Sequence, residues 1–146
     1  MNISILIVGR INCNIIYMIV FGNKVSGEGV VKGLMYIKEP LYSRYGMLFD
    51  MGPTKINSMW MKNTYIPLDI IFLDENMNIV GFRKNNTPHS LKSISINKPS
   101  RYILEMNTGS VKKYNLKLND KIYFININYL LFILSILFFI IIFLNK

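Results

Sequence analysis

The sequence predicts a mostly β (α+β) fold: a small barrel- or sandwich-like domain with two short helices, followed by a C-terminal transmembrane helix. Three observations point there. Short β-branched and aromatic runs are separated at close intervals by Gly, Pro, Asn and Asp. Within them only residues 26–35 and 108–114 read as helix. Residues 129–144, YLLFILSILFFIIIFL, hold a single non-apolar side chain, Ser135, and so show no polar stripe for water. The expected organisation is a folded domain over residues 15–124 and an anchor over residues 125–144.

Two apolar runs, residues 3–8 and 15–21, open the chain, with Arg10, Asn12 and Asn14 between them. A central Arg opposes membrane insertion by about 2.5 to 3.5 kcal/mol. No basic residue precedes the first run and no small-x-small cleavage site follows the second. A leading pair of strands is therefore expected, in preference to a second anchor or a signal peptide. Gly22-Asn23 reads as the turn that follows. Ser26 is placed to cap a helix whose apolar face is Val30, Val31, Leu34 and Met35; Gly27, Gly29 and Gly33 weaken it, and Glu39-Pro40 ends it.

Residues 45–49 read as a brief strand broken at Gly52-Pro53, and residues 58–62 as the next. Residues 68–73 and 79–83 bracket the turn-forming stretch 74–78 as a hairpin. Residues 101–106 form another strand. The helix over 108–114 is capped by Thr108 or Ser110 and stopped by Asn115, which tolerates the left-handed conformation. Residues 116–118 and 122–124, joined by Asn119-Asp120, make a last hairpin.

The formal charge of +9 is unevenly placed. Residues 23–75 carry six basic and six acidic side chains, whereas residues 76–121 carry nine basic against Glu105 and Asp120. Beside an anchor, such a basic face suits anionic lipid headgroups, each cation contributing about 1 kcal/mol. Compositional bias toward Lys and Asn accounts for it equally well. Nucleic acid is the less favoured partner, because no recognition helix or aromatic-interleaved basic motif accompanies the charge. Lys112, Lys113, Lys117 and Lys121 precede the apolar tail and only Lys146 follows it. The excess of basic residues before the span predicts a single-pass membrane protein with its domain facing the cytoplasm.

Residues 59–69, MWMKNTYIPLD, set polar side chains into strand-like sequence. Alternation puts Asp69 on one face with Ile71 and Leu73, and Leu68, Ile70 and Phe72 on the other. A carboxylate on a core face requires a partner. Lys62 is the first choice; Asn63 and Thr64 are the alternatives. Trp60, Lys62, Asn63, Thr64, Asp69 and Glu105 form the candidate binding cleft or polar clasp, and a clasp holding two strands in register is preferred to a reactive site. An enzyme would use Lys62 as nucleophile or electrostatic group and Asp69 as general base or orienting carboxylate.

The string WMKNTYIPLD, with KGLMY before it and PSRYILEMNTG after it, closely resembles the signature of the domain of unknown function 192 family. The resemblance runs over residues 15–124 and implies the same compact, mostly β architecture without implying an activity. Met35, Met47, Met51, Met59 and Met61 all precede Asn63. Thioethers suit Cu(I), which makes Met35, Met47, Met61 and His89 the ligands of a low-ranked copper site, although Met more often fills core. Cys13 and His89 each stand alone, which excludes an intrachain disulfide or thiolate zinc cluster and disfavours a Ser-His-Asp triad. No P-loop or complete dinucleotide fingerprint is present, and no cofactor is expected. The function expected is a membrane-anchored, non-catalytic module that binds a small-molecule ligand or a partner; enzyme and copper carrier are the alternatives.

Overall fold

The computed structural model describes residues 4–9 and 18–144. Its mostly β, α+β architecture is one seven-stranded sheet. The strands are β1 (Ser4–Gly9), β2 (Met18–Val25), β3 (Tyr45–Ile56), β4 (Leu68–Leu73), β5 (Ile79–Asn86), β6 (Pro99–Asn107) and β7 (Lys121–Asn126), in the order β5-β4-β6-β3-β2-β1-β7. Neighbours are antiparallel except β2 and β3, which run parallel. A bridge between Asn78 and Lys121, with the Ile79 and Ile122 amides donating to the Asp120 and Met77 carbonyls at 2.9 Å, links the two ends of that order. The sheet therefore curls into a barrel and protects both of its edges. Among the described residues three helices accompany it: α1 (Glu28–Lys32), α2 (Ser110–Lys113) and α3 (Ile127–Leu144).

Two apolar clusters hold the domain. Leu48, Ile71, Leu73, Ile79, Leu104 and Met106 pack with Ile122 of β7 and with Val111 of α2 across the barrel. Phe49, Leu68, Ile70, Phe72 and Ile103 lie on the opposite face, covered by Leu34 and by Met61, Ile66 and Ile94 from the long connections. All six residues of β4 are buried. Both of its faces are core, and a strand covered on both sides reads as a continuous apolar run.

The leading strand pair is present as antiparallel β1 and β2; residues 3 and 15–17 of the expected pair lie outside the described residues. Several local expectations give way to tertiary pairing. Gly22 and Asn23 do not turn the chain, because they pair with Gly46 and Met47 of β3. Gly52-Pro53 does not end β3 but makes a bulge, with Gly52 at φ 80° and the register with β6 shifting between Asp50 and Lys55. Residues 58–62 form no strand; their isolated bridge, Met59 to Ile94, joins them to another connection, and Met61 packs on the outer face of the sheet. Residues 116–118 are not a strand either, and β7 pairs with β1 instead of closing a hairpin. Ser26 and Thr108 give no side-chain cap: α1 and α2 start at Gly27 and Gly109. Asn115 does take the left-handed conformation, at φ 49°. Among the described residues no helix is long and apolar enough to cross a membrane. The 18 residues of α3 cover about 27 Å at 1.5 Å per residue, short of the roughly 30 Å of hydrocarbon in a typical bilayer.

Candidate functional site

The polar signature resolves into separate jobs rather than one cleft. Asp69 is 1% exposed. Its Oδ1 accepts the Asn85 amide and its Oδ2 the Val111 amide, both at 2.9 Å. The carboxylate thus holds the end of β5 and supplies from a distant strand the cap that α2 lacks at Gly109. Lys62 is not its partner. That side chain is exposed, with Nζ 5.0 Å from the centroid of the Trp60 ring. Asn63, at φ 53°, accepts the Tyr36 amide on its carbonyl at 2.8 Å and donates from Nδ2 to Tyr36 Oη at 3.0 Å. Buried Thr64 donates to the Lys62 carbonyl at 3.3 Å and accepts the His89 amide at 3.1 Å. The His89 ring stands edge-on to Tyr65, with centroids 4.5 Å apart.

Glu105 lies beside Met47 and Ile70 in register, on the face of the sheet opposite to Asp69. Burial pushes its carboxyl pKa up to about 8, so the acid is held neutral at physiological pH. Trp60 and Lys62 therefore meet on the surface, Asn63 and Thr64 shape the loop beneath them, and Asp69 and Glu105 occupy different sides of the sheet. Met47, Met51, Met59 and Met61 serve the outer apolar cluster, to which neither Met35 nor His89 belongs. Among the described residues no group of His, Cys, Asp or Glu is placed to hold a metal ion.

Trp60 lines a groove, but with none of the other five residues of the expected cleft among its walls. A cavity of about 360 Å³ runs between Val30, Val31, Met51, Met59, Trp60 and Leu91. A second, of about 490 Å³, shares Val30 and Met51 with it and continues to Ser26, Gly27, Asp50 and Arg101. At that end Lys24 Nζ is 3.1 Å and Arg101 Nε 3.6 Å from the Asp50 carboxylate. Both cations lie over Tyr102, at 5.4 and 5.1 Å from the ring centroid. Burial raises the pKa of Asp50, but hydrogen bonds from Lys24 and Gly52 and the charges of Lys24 and Arg101 outweigh it and hold the carboxyl below its ordinary value. Arg101 Nε is buried without a hydrogen-bond acceptor. Lys24, Asp50 and Arg101 are far apart in sequence, and only the β2-β3-β6 register brings them together.

Two solved structures share this architecture. One, from Sinorhizobium meliloti 1021 and provisionally called a transcription regulator, is 30% identical, covers 84% of this chain and 93% of its own, and superposes with a TM-score of 0.77. Another, a protein of unknown function from Novosphingobium aromaticivorans DSM 12444, is 27% identical over 82% of this chain and 83% of its own, with a TM-score of 0.73. No curated protein matches the chain. The model of the domain of unknown function 192 family, described as "Uncharacterized ACR", matches residues 26–124, from the loop before α1 to β7, and the chain belongs to that family.

Proposed function

We propose that the protein is a membrane-attached, non-catalytic binding module: α3 inserts into a bilayer and holds the domain beside it, with the Trp60 groove as the ligand or partner site. The observation that carries this reading is the surface of α3. From Leu131 to Leu144 every side chain except Ile133 is exposed, Phe143 at 83%. The hydroxyl of Ser135 is satisfied within the helix by the Phe132 carbonyl at 2.7 Å and needs no water. A helix apolar all round belongs in a protein core or in lipid, and from Leu131 onward the domain leaves this one exposed apart from Ile133. Its slight shortness costs only fractions of a kcal/mol per Å, since bilayers thin around short segments. The enzymatic alternative loses its pair, because Asp69 is spent on two backbone amides while Lys62 lies over Trp60.

Alkaline carbonate extraction of membranes tests the attachment: the protein should stay with the pellet, and its release into the supernatant would overturn the reading. Orientation has its own test in Asn85-Asn86-Thr87, an acceptor pattern for glycosylation. A cytoplasmic domain stays unmodified in microsomes, and glycan at Asn85 would place it in the lumen. Native mass spectrometry of the purified protein should reveal a co-purifying small molecule lost on Trp60→Ala; its retention by that variant would remove the groove from consideration.

A further inference from the structure

We propose that the groove takes one acidic phospholipid from the bilayer, its headgroup at Lys24 and Arg101 and an acyl chain along Val30, Met51, Met59 and Trp60. The inference rests on the reading of α3 as a membrane segment. Four observations converge on it. The Arg101 Nε–H is buried with no acceptor, and the nearest carboxylate oxygen, at 3.6 Å, is too far to serve. A phosphate oxygen seated in the cavity supplies that acceptor. Lys24 and Arg101 both approach the Asp50 carboxylate at the charged end, so an anion entering there meets two cationic side chains. It opens through Val30 and Met51 into the apolar trough, whose outer lip exposes Val31 by 75% and Leu91 by 69%. An anionic head joined to an apolar chain matches both halves, and neither a free anion nor a purely apolar ligand does.

The fourth observation is direction. β7 and β2 are each antiparallel to β1, and β3 is parallel to β2, so β7, β2 and β3 point the same way. The register places Asn126, Ser4, Gly22 and Gly46 in one row across the sheet. Val25 lies three residues past Gly22 and Asp50 four past Gly46, both in the direction in which β7 runs into α3. The charged end of the groove is therefore displaced toward the pole of the barrel from which α3 departs, the side on which lipid headgroups would lie.

Trp60 is the single tryptophan of the chain and reports the trough directly. The full-length protein is reconstituted into phosphatidylcholine vesicles containing a minority of phosphatidylglycerol, with bromine on the acyl chains of one lipid or the other as a contact quencher. Flotation with the vesicles is scored first; a chain that fails to float overturns both the membrane reading and this one. In floating protein, bromine on phosphatidylglycerol should quench Trp60 severalfold more than bromine on phosphatidylcholine. Arg101→Gln and, at the exposed lip, Leu91→Glu should each abolish the difference, in variants whose melting shows them folded. Equal quenching by both lipids, a difference that survives Arg101→Gln, or its loss to added inorganic phosphate alone would overturn the proposal while leaving the membrane attachment intact.

Discussion

Asp69 decides two tertiary contacts with one side chain. Asp69→Ala leaves the Asn85 and Val111 amides without their acceptor; the buried Val111 donor costs about 1 to 3 kcal/mol and the part-buried Asn85 bond adds to it. A loss of about 3 kcal/mol in a domain of this size lowers the melting temperature by more than roughly 10 °C. Exposed Lys117→Ala should change it little, and paired thermal melts check both. Glu105 makes the opposite kind of prediction. Its pKa is raised from 4.5 in the unfolded chain to about 8 in the fold. The folded state then binds the proton more tightly, so the stability it confers is complete below the unfolded value and is lost as pH rises toward 8, by up to about 1.4 kcal/mol per pH unit. Glu105→Gln should match the parent near pH 4 and melt above it near pH 9; the same difference at both pH values would mean the carboxyl is not buried as described. Alternation along β4 made the need for a partner at Asp69 legible in the sequence. The partner itself was not legible, because a backbone amide 42 residues away has no residue type to advertise it.

The elements that sequence located well are those that carry their own geometry. The β4-β5 connection is one: Asp74 Oδ1 accepts the Asn76 and Asn78 amides at 2.8 Å, with Met77 at φ 67°, all within five residues. The elements it missed are fixed from afar, such as the end of β2, set by parallel pairing, and the bulge of β3, set by β6. Residues 36–44 show the same dependence, since Asn107 clamps that connection by accepting the Leu41 amide at 2.9 Å and donating to its carbonyl at 2.6 Å. Asn107→Ala removes both bonds, worth about 1 to 3 kcal/mol together. Hydrogen exchange should find the Leu41 amide markedly less protected while β4 and β6 amides keep their protection. Equal loss everywhere would indicate global unfolding instead of a released loop.

At the scale of the molecule, the proposed membrane attachment implies that the domain and α3 are energetically separate. Ending the chain after Asn126 should leave the melting temperature within a few degrees of the parent and move the protein from the membrane to the soluble fraction, as sedimentation and calorimetry will read. A large fall in melting temperature would mean that the helix completes the core. The division of charge between the two halves of the sequence was legible, but its arrangement in space was not: Lys24 from the balanced half and Arg101 from the basic half meet at one carboxylate. Only the sheet order creates that meeting.

The buried strand β4 has a consequence for the chain before it folds. LDIIFL is a six-residue segment of strong β tendency, and fully buried on both faces it offers no surface that a folded domain could leave in water. Released early in synthesis, such a segment can zip against another copy of itself. Pro67 stands before it, Asp69 interrupts it at its second position and Asp74-Glu75 follow, so proline and negative charge guard the segment on each side and within it. Asp69 thus acts twice: as a gatekeeper against self-association in the nascent chain, and as an acceptor once β5 and α2 arrive to use it.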